Sequence, residues 1–166
     1  QLDINFHDEI MPPALDTEYP TLLPEMPAPQ LRSYPPEAAI AEKLQAMVLL
    51  GDINSRLKDY HDIWLLAQNV EIEGETLRTA ITSTFQRRQT PLPDETPFAL
   101  TNDFAGNRQI EMWAALQNRN GADALPITLQ QAIIDIRAFA WPPLQAVANR
   151  QKFNQQWKPG GPWHQH

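Results

Sequence analysis

No cysteine occurs among the 166 residues. Disulfides, thiolate zinc sites, iron–sulfur clusters and cysteine nucleophiles are therefore excluded. The absence fits a reducing compartment, and a cytoplasmic location is expected. No apolar run approaches the roughly 18 residues a membrane span needs, so no membrane partner is expected. Glycine is scarce, six residues against sixteen prolines, which predicts stiff connectors rather than tight glycine turns. Cations are the minority: 13 Lys and Arg against 20 Asp and Glu leave a net charge of −7. That balance argues against a basic coat for duplex DNA but permits a local basic patch. The motifs GxSxG, HExxH, GxGxxG and the Walker loop are all missing.

What is present is an ordinary globular balance, 42% hydrophobic residues with a mean hydropathy of −0.45, and a length of about one domain. The opening Gln1-Leu2-Asp3-Ile4-Asn5-Phe6 alternates polar and apolar from its first position, which reads as a strand with Leu2, Ile4 and Phe6 on one face. A lone strand needs partners for its backbone and its apolar face. Val70 to Ile72 is the one other weak strand candidate. The expectation is therefore a C-terminal part of something longer. Eight of the sixteen prolines fall between positions 8 and 37, which predicts an extended connector that holds neither a helix nor a central strand. Residues 1 to 37 carry seven acids and one arginine, a net of −6 against −7 for the whole chain.

Helical spacing follows. Pro35-Pro36-Glu37 opens a first helix, Ile40, Leu44, Met47 and Val48 mark its apolar stripe, and Gly51 closes it. A second helix starts near Ser55 with Tyr60, Ile63, Trp64 and Ala67 inward. Glu75 to about Arg88 reads as a third, ended by Thr90-Pro91-Leu92-Pro93. Phe98 to Asn120 is helical with a break near Gly106, its second part carrying Ile110, Trp113, Ala114 and Leu116. Thr128 to Ala140 is another helix, and Pro142-Pro143 allows a short final one to about Asn149. The tail shows few features of an ordered core. The fold class expected is mainly α, a helical bundle with one N-terminal strand and a proline-rich connector. Residues 1–33 form the strand and connector, 34–150 the helical domain, and 151–166 a basic aromatic tail.

Several residues stand out chemically. Lys43 lies three residues after Ile40 and four before Met47, on the apolar face. Its stem can snorkel to water, or packing can hold its ammonium for an anion such as phosphate. The segment Asn54-Ser55-Arg56-Leu57-Lys58-Asp59-Tyr60-His61-Asp62 crowds two cations and two carboxylates onto one helix. Surface ion pairs would explain Arg56 with Asp59 and Lys58 with Asp62. Asp59, however, shares a face with Ile63 and Leu66 and is expected half buried, with Lys43 as its obvious partner. A purely structural Lys–Asp bridge explains that pair equally well. Asp3 points away from the apolar face of its strand, as plain alternation requires. His61, without a second histidine at metal spacing, reads as a helix-surface residue. From Ala140 onward Arg150, Lys152 and Lys158 interleave with Trp141, Phe153, Trp157 and Trp163. They can stack on single-stranded nucleic acid, or the tryptophans can dock on the chain's own core.

The run Tyr34-Pro35-Pro36-Glu37, Ile40-Ala41-Glu42-Lys43-Leu44 and Asn54-Ser55-Arg56-Leu57-Lys58-Asp59-Tyr60-His61-Asp62-Ile63 resembles the AbiEii/AbiGii toxin family of nucleotidyltransferases. The match extends upstream to Leu2-Asp3-Ile4-Asn5-Phe6-His7-Asp8 and Tyr19-Pro20-Thr21-Leu22-Leu23, so residues 1 to about 70 carry it. The resemblance implies a polymerase-β-like nucleotidyltransferase with a helical C-terminal lobe. It implies transfer of a nucleotide from an NTP, with Mg²⁺, to an acceptor such as tRNA or another RNA. It also implies a toxin of an abortive-infection, toxin–antitoxin pair with a cognate antitoxin. By that resemblance Asp3 is a metal-site carboxylate, Lys43 contacts the triphosphate, and Arg56, Lys58, Asp59 and Asp62 complete the nucleotide pocket. Catalytic roles fall to Asp3, Lys43, Asp59 and Asp62, nucleotide binding to Lys43, Arg56 and Lys58, and the metal to Asp3. The Gly-Ser turn and Asp-x-Asp strand that should precede Asp3 do not occur. The longer parent protein is therefore expected to be the enzyme and this chain alone to be inactive. The alternative is a non-catalytic helical module that contacts RNA or an antitoxin.

Overall fold

The computed structural model describes residues 11–18, 28–121 and 125–165. Five α-helices dominate them, as the apolar spacing predicts. The expected strand at Leu2–Phe6, and Asp3 with it, lies outside the described residues. Where it is described, the proline-rich segment is extended as expected, but part of it is paired. Strand β1 (Leu15–Glu18) runs antiparallel to β2 (Gln30–Ser33), with Leu15 opposite Ser33. A two-stranded ribbon has only edges, and edge positions are where prolines beside strands are tolerated.

Helix α1 spans Pro36–Leu50, with proline in its first turn and Glu37 against its positive end. Gly51 ends it at φ 52°, a conformation that favours glycine. Helix α2 is Leu57–Asn69, starting two residues later than the sequence suggests. Asn54 accounts for the shift: its side-chain oxygen accepts from Arg56 N at 2.8 Å and turns the chain before the helix begins. Helix α3 (Gly74–Arg87) begins after Glu73, whose carboxylate accepts from Thr76 N at 2.6 Å. Two 3₁₀ turns, Phe98–Leu100 and Asn102–Phe104, precede α4 (Asn107–Asn120). Of the four residues expected inward on α4, Trp113 alone is buried, and Ile110 is exposed.

Ile40, Leu44 and Met47 from α1 meet Tyr60 and Ile63 from α2, Leu77 and Ile81 from α3, and Ile133, Ile136 and Phe139 from α5. Each such side chain contributes about 1.5–3 kcal/mol by leaving water. Tyr60 is fully buried, stacks on Phe104 at 5.0 Å and donates its hydroxyl to Ala99 O at 2.8 Å. Burial raises its phenol pKa far above the usual range.

Two expectations fail at the C-terminal end. Helix α5 runs unbroken over Leu129–Ala148, with Pro142 and Pro143 inside it. The tail is ordered: β4 (Gln155–Trp157) pairs antiparallel with both β3 (Ile72–Glu73) and β5 (Trp163–Gln165). The two departures share one cause. A proline lacks the N–H that would reach the carbonyl four residues back. For Pro143 that carbonyl belongs to Phe139, and Trp163 Nε1 donates to it at 2.9 Å. The Trp163 ring stacks on Phe139 at 5.7 Å, and Trp157 meets both rings edge-on. Gly74 permits the closure: a Cβ there would come within 2.6 Å of Gln155 O and of the Phe153 ring.

Candidate functional site

The chemistry-bearing residues gather where α1 passes the start of α2. Lys43 stands between Ile40 and Met47, both fully buried. Its stem is held by that face, and its ammonium reaches across to α2. There it meets Asp59 Oδ1 at 3.1 Å and Asp62 Oδ2 at 2.8 Å. Asp59 sits in the first turn of α2, where the helix dipole favours negative charge. It is only 4% exposed, more deeply set than the half burial expected. Arg56 Nε approaches its Oδ2 to 2.7 Å, although that oxygen accepts no well-aligned hydrogen bond. Asp62, one turn on, also receives Lys58 Nζ at 2.9 Å. Three cations therefore converge on two carboxylates.

The electrostatics are mutual. Burial pulls the Lys43 pKa down, but the hydrogen bond to Asp62 and the charges of Asp59 and Asp62 outweigh it, leaving the ammonium above its usual range. Burial pushes the Asp62 carboxyl up, but hydrogen bonds and charge from Lys43 and Lys58 hold it below the usual range. Both groups stay ionised throughout the physiological range.

A cavity of about 280 Å³ opens beside Lys43, lined also by Tyr34, Ala39, Glu42, Arg56 and Arg88. Its lining carries three cations and one carboxylate, an excess of positive charge in a chain of net −7. Glu42 receives Arg87 at 3.2 Å and the Tyr34 hydroxyl at 2.5 Å. Arg88 leans on Gln45 at 3.0 Å. An ammonium has three N–H donors; two of those on Lys43 are engaged by carboxylates. The third has no partner among the described residues.

Sequence reasoning grouped Lys43, Arg56, Lys58, Asp59 and Asp62, and the structure brings all five together. It missed three neighbours. Arg88 and Glu42 line the cavity; their signals were the Arg87-Arg88 pair at the end of α3 and the acid preceding Lys43. His61 is a correction: it is buried, not a surface residue. Asn120 Nδ2 donates to its Nε2 at 3.0 Å, and its Nδ1 lies 3.4 Å from Asp62 Oδ1. Its spacing of four from the buried Leu57 was the available clue.

These residues do not fit a divalent metal. No group of three or more His, Asp or Glu among the described residues could hold one, and Asp59 and Asp62 already face Lys43, Arg56 and Lys58. No helix among the described residues is long and apolar enough to cross a membrane.

Compared with known families, residues 1–149 match the family model described as nucleotidyl transferase AbiEii toxin, type IV toxin–antitoxin system. No curated protein and no solved structure matches the chain.

Proposed function

The chain belongs to the AbiEii nucleotidyl transferase toxin family of type IV toxin–antitoxin systems, and from that premise we propose that its Lys43 cluster binds the phosphates of a donor NTP. The observation that carries the reading is the Lys43 ammonium, fixed between Asp59 and Asp62 at the edge of a cavity that Arg56 and Arg88 also line. Asp59 and Asp62 are positioning residues here. They neutralise part of the positive charge and hold Lys43 where its remaining N–H meets a phosphate oxygen. Arg56, whose Nε and Nη2 face Asp59, adds its remaining Nη1 donors to the same anion. Phosphoryl chemistry of this class depends mainly on placement and on stabilising charge, and these residues supply both to the donor.

The acceptor in this proposal is an RNA such as tRNA, and the partner is a cognate antitoxin. Mg²⁺ belongs in it with Asp3, outside the described residues, and not with Asp59 or Asp62. The competing reading, a binding module that meets RNA through the tail aromatics, has less support. Trp157 is buried, and its Nε1 donates to Ala67 O at 2.7 Å. Trp163 is turned onto Phe139. Those rings are engaged with their own core.

The test is titration of the chain with ATP, GTP, CTP and UTP, followed by amide chemical shifts, which report weak binding. Shifts over residues 54–62 that vanish in Lys43→Ala, with the melting transition retained, are expected. A Lys43→Ala protein with unchanged NTP affinity would leave only a structural bridge.

A further inference from the structure

Arg56 lines two cavities. The second is larger, about 440 Å³, within the range of small-molecule sites. It lies between the start of α2 and the last turns of α4. Its floor is apolar, from Leu57, Met112 and Leu116, and its rim carries Arg56, Lys58 and Arg119. Among the described residues no acidic side chain lines it, in a chain where acids outnumber bases. Arg119 is exposed and makes no ion pair among the described residues. Among those residues its charge is uncommitted, unlike that of Lys58, which is spent on Asp62. The wall is also joined to the Lys43 cluster: Asn120 lines the cleft, donates to His61 at 3.0 Å, and His61 faces Asp62.

We propose that this cleft is a nucleotide subsite, with a nucleobase against Leu57, Met112 and Leu116 and the attached phosphate at Arg119. A flat, weakly hydrated ring suits an apolar floor that includes a pliable methionine. Guanidinium groups at the rim stack on bases and pair with phosphate oxygens. Alternating apolar and cationic surface is how proteins hold nucleotide units without reading sequence. The proposal rests on the phosphate-binding reading of Lys43 for its place in the reaction, because a transferase must hold two substrates near one centre. The nucleotide in the cleft is either the nucleoside end of the donor or the terminal unit of the acceptor strand.

The experiment uses the 166-residue chain with two probes, ATP and a single-stranded oligoribonucleotide of eight residues. Arg119→Glu and Ala115→Glu are compared with wild type and with Lys43→Ala. Both cleft positions are exposed, so the melting transition should not move. A loss of at least tenfold in ATP affinity in both cleft variants assigns the cleft to the donor. The same loss for the oligoribonucleotide, with ATP unaffected, assigns it to the acceptor. Unchanged affinity for both probes, or ligand-induced shifts that omit residues 112–120, overturns the subsite. Lys43→Ala separates the two readings. If it abolishes ATP binding while the cleft variants change nothing, the cleft fails and the Lys43 site stands. If the cleft variants weaken a probe and Lys43→Ala weakens neither, the Lys43 site fails and the cleft stands.

Discussion

At its first turns α2 carries Asp59 and Asp62, each shared between cations that reach in from α1 and from α2 itself. At its last turn the same helix offers the carbonyl of Ala67, and the tail supplies two donors to it: Trp157 Nε1 at 2.7 Å and Gly160 N at 3.0 Å. The second arrangement solves a general difficulty, since the last carbonyls of a helix lack partners within it. It adds the burial of aromatic rings to the hydrogen bonds. The first arrangement is different in kind. Burying charge is costly even when it is paired, and apolar packing would serve stability as well or better. A fold does not need three cations on two carboxylates beside an open cavity. That contrast is the physical reason to read one end of α2 as a site and the other as a lock.

The contrast can be broken most forcefully at the lock. Trp157→Ala should lower stability by about 3–5 kcal/mol, read by chemical denaturation, while the protein that remains folded keeps its NTP affinity. If stability hardly changes, the tail is not what secures the C-terminal end of α2. At the site end, Asp59→Ala should cost about 1–3 kcal/mol, because Lys43 and Arg56 lose a deeply buried partner. Asp59→Asn should recover part of that stability without recovering nucleotide binding. Recovery of both would reduce Asp59 to a structural residue.

A finer test addresses the prolines. Trp163→Phe removes the donor to Phe139 O and should cost about 1 kcal/mol. In a Pro143→Ala background residue 143 regains its own N–H, so the same change should cost less than half as much. Equal costs in the two backgrounds would mean that Trp163 does not replace the missing helix bond. The smallest effects concern pH. The depressed pKa of Asp62 contributes stability that is fully present above the ordinary carboxylate range. It is lost as pH falls below about 4. The raised pKa of Lys43 contributes stability that is present below about pH 10 and lost as pH rises further. Asp62→Asn should flatten the acid limb of the stability profile; an unaltered limb would assign acid unfolding to other carboxylates.

Local signals read well in this chain. Pro35-Pro36-Glu37 and Gly51 bound α1, and the apolar spacing of Ile40, Leu44 and Met47 placed Lys43 on the face that meets α2. The crowding of charges from Arg56 to Asp62 pointed to the cluster that gathers around Lys43. What the sequence hid depends on partners far along the chain. Pro142-Pro143 reads as a helix end because the compensating donor, Trp163, lies twenty residues away. Three-residue strands such as β4 and β5 carry too little pattern to register, and β3 shows only as the weak candidate Val70 to Ile72. They exist through pairing between Ile72 and Trp157. His61 looked exposed because its partner, Asn120, belongs to another helix.

The account stands on Lys43 as a phosphate-binding residue. The most direct measurement is the ATP dissociation constant of wild type and Lys43→Ala, with both melting transitions recorded. The account predicts at least a tenfold loss, about 1.4 kcal/mol or more, in a protein that remains folded. Equal affinities in two equally folded proteins would contradict it.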